Sequence, residues 1–292
     1  MAIKKKSLSL TILSLIFLGG LVGVYQYYAK KGFFATEMLS ENEILTPTSY
    51  DFSIITLKNT PANVTITRTG DWRPGITKTL MKFVTTGSKV LHLGANIGFE
   101  DVIIGRLVSP DGAVYTFEPN PEVLGTLKKN ILLNKLDSVV QVFPMATAAE
   151  KGISTLCFGE VDPQQEPPQK CHQIGLVKLD DLELPNMDFI LMDIEGSEID
   201  SLQGAQDLLK RSGYPPILMT WDPQMMETKG TSPKDFLYSA QDQGYMPHKV
   251  KMNKDDGIWM LVPIKYEELE ETRSSEIVLF SKVAADTSIS LS

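Results

Sequence analysis

Val90-Leu-His-Leu-Gly-Ala-Asn-Ile-Gly98, followed by Val114-Tyr-Thr-Phe-Glu-Pro-Asn-Pro121, decides how this chain folds. A short apolar run reads as a buried strand, and a small-residue turn then opens a helix. A second apolar run ends in a carboxylate, Glu118, twenty residues past Gly98. That is the layout of a βαβ unit with a nucleotide cleft: the turn lets a ligand approach backbone, and the acid takes a ribose diol. The dinucleotide fingerprint G-x-G-x-x-G is not met, because Asn96 fills its second glycine position. His92 stands where such turns usually carry an acid.

Outward from this unit, strands and helices alternate. Strands are expected at 89–93, 113–117, 139–143, 189–193, 217–221, 258–262 and 276–280, and helices at 98–108, 121–134, 197–211 and 233–243. Such alternation implies a mainly parallel sheet with helices on both faces and ligands at the carboxyl ends of its strands. A helix over 72–85 leads into the first strand. Residues 51–67 alternate apolar positions around Lys-Asn-Thr-Pro61 and read as a hairpin. Glu160 to Lys170 holds three prolines and no periodic apolar residue, so it is an exposed loop. Cys157 and Cys171 bracket that loop, as two thiols in a reducing compartment or as a disulfide in an oxidising one.

Composition narrows the function. A hydrophobic share of 42% suits a packed globular domain. The formal charge of −8 argues against a nucleic-acid partner, since no basic surplus exists to displace counterions from phosphates. Two cysteines and three scattered histidines give no spacing for a metal site, so none is expected.

Ser7 to Tyr28 carries no charge over 22 residues and has lysines on both sides. As a helix it would extend ~33 Å, enough for a bilayer core of roughly 30 Å. The expectation is therefore a retained single-pass anchor with the lipid bilayer as partner through residues 7–28. A cleaved signal peptide and a buried core helix are the rival readings. Flanking lysines lean weakly toward a cytoplasmic N-terminus, and the side of the soluble domain stays open. The expected organisation is an anchor over 1–31, a juxtamembrane linker over 32–50, a catalytic domain over 51–283 and a tail over 284–292.

A further cluster of acids is Asp193-Ile-Glu-Gly-Ser-Glu198, where a buried strand turns into a helix. Three carboxylates within six residues at a ligand edge suit a proton acceptor or a partner for a ligand amine. Glu198 also reads as an ordinary first-turn helix acid, and Glu118 as an acid favourable to a helix N-terminus. Gly94 and Gly98 have a plain alternative in tight strand–helix packing.

These strings, with Leu127-Lys-Lys-Asn-Ile-Leu-Leu-Asn134, Lys178-Leu-Asp-Asp-Leu182 and Leu202-Gln-Gly-Ala205, resemble the FkbM family of class I S-adenosylmethionine-dependent methyltransferases over about Trp72 to Lys282. The resemblance implies a Rossmann-like α/β fold, a mostly parallel seven-strand sheet with its last strand inserted antiparallel. It implies S-adenosylmethionine as cofactor and methyl transfer to an oxygen of a small polar or sugar-like acceptor. By position, His92, Gly94, Ala95, Asn96, Gly98, Glu118 and Asp193 would bind the cofactor, and Glu195 and Glu198 would serve catalysis. Three positions depart from the family pattern: His92 replaces an acid, Leu191 a lysine, and Thr220-Trp221 stands where a glutamate is usual. Those departures motivate the alternative of a non-catalytic interaction domain with the same fold. A nicotinamide oxidoreductase is disfavoured by Asn96 and the acid cluster. Acceptor and oligomeric state are not written in the sequence.

Overall fold

The computed structural model describes residues 36–158, 170–282 and 288–291. The chain divides into two units, Met1–Trp72 and Arg73–Ser292.

In the first unit, strands β1 (Glu37–Met38), β2 (Glu43–Pro47) and β3 (Ser53–Leu57) form an antiparallel sheet in that order. Helix α1 (Pro61–Thr69) packs on β2 and β3. The hairpin expected over 51–67 is therefore half right in position and wrong in its partner. Thr60 caps the helix by accepting from the Asn63 amide, and Pro61 fills the first helical position, where its missing N–H costs nothing. The Thr-Pro pair starts a helix instead of turning a hairpin, and β3 pairs backward with β2, inside the stretch read as a linker. Two layers are pinned by polar contacts: Thr46 meets Thr56 at 3.1 Å, and Asn63 Nδ2 donates to Thr56 Oγ1 at 2.8 Å.

The second unit opens with α2 (Pro74–Phe83) and then runs β4 (Lys89–Leu93), α3 (Phe99–Val108), β5 (Ala113–Phe117), α4 (Pro121–Leu133) and β6 (Val140–Phe143). A side sheet follows: β7 (Ala146–Thr147), β8 (Gly152–Phe158) and β9 (Lys170–Val177). The chain returns through β10 (Phe189–Met192), α5 (Glu198–Gln203), α6 (Gln206–Arg211) and β11 (Ile217–Trp221). It ends with α7 (Pro223–Thr228), α8 (Pro233–Asp242), β12 (Met246–Met252), β13 (Trp259–Pro263), α9 (Tyr266–Glu270), β14 (Glu276–Ser281) and β15 (Ile289–Ser290).

The main sheet has the order β15-β13-β12-β14-β11-β10-β4-β5-β6. Strands β6, β5, β4, β10 and β11 are parallel, and β14 is inserted antiparallel between β11 and β12. The fold is thus Rossmann-like with a mixed sheet, and it corrects the expectation in two respects. The sheet has nine strands, not seven, because the hairpin partner β13 and the short β15 extend it beyond β12. Among the described residues no helix is long and apolar enough to cross a membrane. The span expected over 7–28 lies outside the described residues.

Every residue of β10 is buried, as are Val90 to Leu93 of β4, which explains why both strands read as unbroken apolar runs. On the far side Trp221, Phe236 and Phe280 interlock, with ring centroids 5.2–6.3 Å apart. The helix expected over 197–211 breaks into α5 and α6 at Gly204. A Cβ there would lie 2.0 Å from the Ala148 carbonyl oxygen, and Asp180 caps α6 by accepting from the Asp207 and Leu208 amides. Chain direction reverses between β4 and β10: β5 and β6 step outward on one side, and β10 and β11 step outward on the other. This is the switch point at which open α/β sheets bind ligands.

Cys157 and Cys171 face one another across β8 and β9 and are joined as a disulfide. A bridge across a sequence separation of 14 removes about 3 kcal/mol of chain entropy from the unfolded state. Protein purified without reductant should show no titratable thiol in denaturant. Reduction should lower its stability to urea by an amount of that order. A full complement of two free thiols before reduction would contradict the pairing.

Candidate functional site

The turn after β4 is built on one close approach. Gly94 has φ +92°, and a Cβ on it would lie 2.1 Å from the Asp193 carbonyl oxygen. No side chain fits there. Across the same gap the Asp193 amide donates to the Leu93 carbonyl at 2.9 Å. Gly98 is equally confined, its position for a Cβ lying 2.5 Å from Leu127 Cδ1, while Asn130 of α4 donates to the Ile97 carbonyl at 2.8 Å. Packing thus demands both glycines, and the packing is what holds an exposed backbone segment at Asn96 over the switch point. Ala95 is buried beneath it.

Glu118 ties to this turn. Its Oε2 accepts from the Asn96 amide at 2.7 Å and its Oε1 from the Asn120 amide at 2.8 Å. Burial raises its pKa, while the two backbone amides pull it back toward the ordinary value. Each oxygen takes one amide and retains a lone pair, so the carboxylate keeps the capacity to accept from a vicinal diol.

His92 is fully buried between sheet and helix, beneath the turn. The sheet register sets Leu191, His92 and Thr116 side by side on β10, β4 and β5. From α3 above them, Asp101 takes the imidazole Nδ1 at 3.0 Å and also accepts from the Thr116 hydroxyl. Burial alone would push the His92 pKa down. The charge and hydrogen bond of Asp101, helped by Glu100, outweigh it and raise the pKa above the usual histidine value. The strand acid has in effect moved to the helix. Asp101 Oδ2 lies 3.7 Å from the point where a Gly98 Cβ would sit and, among the described residues, has no hydrogen-bond partner. The imidazole that sequence placed beside a ligand is thus a buried cation with its counter-charge attached.

The acid block separates into three environments. Asp193, with 28% of its side chain exposed, stands at the lip of the switch point. Glu195 is exposed and held at φ +52°, a conformation that costs a non-glycine residue of order 1–3 kcal/mol. Gly196 beside it has no room for a Cβ, which would lie 2.5 Å from the Met225 carbonyl. Glu198 points inward at 2% exposure and accepts from the Gly196 amide at 3.3 Å. Burial, reinforced by the Asp193 charge and opposed by turn amides, pushes its pKa up to about 7. Glu195 and Glu198 are therefore not a matched pair: one meets solvent and the other knots the turn.

Arg73 completes the site and was not found in the sequence. It precedes α2, and its Nη1 lies 2.5 Å from Asp193 Oδ2 and 3.3 Å from Thr220 Oγ1. Its Nε and Nη2 both donate to Glu100 Oε1 at 3.2 Å. Glu100, in the first turn of α3, has only 5% of its side chain exposed and needs such a partner. That buried acid two residues past Gly98 was the one available signal. The other departures are core residues: Leu191 is buried in β10, and Trp221 is buried with its indole N–H on the Leu269 carbonyl.

Two outcomes follow. His92→Asp alone should cost about 3–5 kcal/mol in urea denaturation, because it sets two carboxylates together and removes a buried cation. The exchange His92→Asp with Asp101→His should recover most of that loss, and equal instability of single and double variants would refute the pairing. Glu198 titrates near 4.5 unfolded and about 7 folded, so its contribution to stability falls as pH rises between those values. Glu198→Gln keeps an acceptor for the turn and should exceed wild type by up to about 3 kcal/mol near pH 8, with no gain near pH 4.

The sequence model of the "Methyltransferase FkbM domain" matches residues 92–246, just over half of the chain. No curated protein matches it. Among solved structures, the FkbM methyltransferase of Methylobacillus flagellatus is similar at 18% identity and a TM-score of 0.43, over 67% of this chain. This chain spans 44% of that protein's length. A SAM-dependent O-methyltransferase from Thermotoga maritima is 12% identical, with a TM-score of 0.43 over 87% of this chain and 86% of its own. A SAM-dependent methyltransferase from Aquifex aeolicus is 17% identical, with a TM-score of 0.40 over 70% of this chain and 86% of its own. From His92 through the acid block to Met246, this chain belongs to the FkbM methyltransferase family.

Proposed function

We propose that this protein is an S-adenosylmethionine-dependent methyltransferase that methylates a hydroxyl oxygen of a small polar or sugar-like acceptor. The observation that carries this reading is the Gly94–Asn96 turn, sealed on Asp193 at one side and tied to Glu118 at the other. The residues fit the group. Glu118 suits the ribose diol, the turn brings bare backbone to a ligand, and Asp193 offers a half-buried carboxylate beside it.

When bound, S-adenosylmethionine supplies a methyl group on a sulfonium that is already electrophilic. The chain's part is then orientation and removal of a proton. Asp193, at the carboxyl end of β10, flanks the place where an acceptor hydroxyl must be aimed. Glu195 is the group we assign to take the hydroxyl proton, because its carboxylate is open to a ligand entering from solvent. Glu198 supports it from below: accepting from the Gly196 amide fixes the turn that presents Glu195.

Calorimetric titration of the full chain with S-adenosylmethionine tests the reading. Wild type should bind, and Glu118→Ala should weaken binding about 10- to 100-fold by removing charge-assisted bonds. Absence of heat with wild type would defeat the cofactor reading and favour a non-catalytic domain of the same fold.

A further inference from the structure

The glycine turn has a carboxylate at one end that suits a nucleoside. At its other end lie two opposite charges in contact, Arg73 and Asp193. The contact is at the switch point itself, since the Asp193 carbonyl is the atom that excludes a side chain from Gly94. A lone surface ion pair would carry little meaning. This one is part of a built cluster. Glu100, almost wholly buried, holds the Nε–Nη2 side of the guanidinium and leaves the Nη1 side on Asp193 and Thr220.

The charges of this cluster select among ligands. Arg73, Glu100 and Asp193 sum to one negative charge, so a simple anion meets two carboxylates and a simple cation meets a fixed guanidinium. A group that carries both signs on neighbouring atoms matches both members of the exposed pair at once. An α-amino acid zwitterion is such a group: its carboxylate suits the planar fork of an arginine, and its ammonium suits an acceptor-only carboxylate. Building on the cofactor reading above, we propose that Arg73 and Asp193 recognise the amino-acid end of the methyl donor, with Arg73 on its carboxylate and Asp193 on its ammonium. Glu100 is the positioning residue that aims the guanidinium. The arrangement also gives the family's missing strand acid a substitute, because the ammonium partner comes from β10 and not from His92.

Two ligands isolate this claim. S-adenosylhomocysteine carries the amino-acid end, and 5′-methylthioadenosine keeps the nucleoside and thioether but lacks that end. In calorimetry on the full chain, Arg73→Gln should weaken S-adenosylhomocysteine about 10- to 100-fold, the effect of losing a charge-assisted bond. Its affinity for 5′-methylthioadenosine should stay within about twofold, which also reports that the nucleoside cleft is folded. Arg73→Lys, with charge but no fork, should fall between. Equal losses for both ligands would overturn the proposal and make Arg73 a support of the fold. Unchanged affinity for S-adenosylhomocysteine would overturn it as well, leaving the guanidinium to the acceptor. Failure of wild type to bind either ligand is a different result, and it removes the cofactor reading on which the proposal stands.

Discussion

The contact between Gly94 and the Asp193 carbonyl is the constraint on which the site depends. Two parallel strands, β4 and β10, end side by side, and at their ends the backbones approach too closely for any side chain. That approach sets the height of the turn above the sheet and therefore where the Asn96 amide points. It also fixes the side chain of Asp193 relative to the turn, since the residue's own amide is bonded to Leu93. Burial of the apolar runs behind it supplies the rigidity. Val90, Leu93, Ile190 and Met192 leave no slack for either strand to slide. A ligand edge made this way is positioned by the core and not by flexible loops.

Electrostatics at this edge follow a second rule: each deeply buried charge already has its partner. Asp101 meets His92 and Thr116, and Glu100 meets Arg73. An unpaired charge at either place would cost several kcal/mol. The family's acid before the glycine turn is absent, yet negative charge persists one layer higher, on α3. The substitution is therefore a relocation with a compensating cation, and reading His92 by itself gives the wrong sign for the neighbourhood. Only Asp193 and Glu195 present carboxylate to solvent in the acid block, while Glu198 is drawn in and holds its proton toward neutrality.

Much of this was legible in the chain, and the reasons for the rest are specific. Strands at Lys89–Leu93, Ala113–Phe117 and Ile217–Trp221 were readable because burial on both faces enforces unbroken apolar runs. Pro61 was misread because proline after threonine marks a turn and a helix start equally well, and only pairing with β2 decides between them. Strands β8 and β9 escaped notice because β8 is largely exposed and has no hydrophobic face to betray its period. The glycines and Glu118 were legible from spacing, since local geometry demands them. Arg73 was not, because its partners lie 27 and 120 residues away and no local pattern links them.

The same logic explains why the site's acids divide as they do. Transfer from a sulfonium neutralises positive charge, so an edge with fixed, oriented dipoles favours the reactants only if its charges need not rearrange. In this fold the turn amides of Asn96 and Gly196 are each engaged by a carboxylate anchored at the start of a helix, Glu118 before α4 and Glu198 in α5. Both loops that border the cleft are thus held by the same device, a buried acid accepting from a backbone amide at a left-handed turn. Such bonds hold the loop geometry fixed whether or not a ligand is present. What remains free to respond is the exposed carboxylate of Glu195, and the fold places its one mobile acid at the mouth of the cleft.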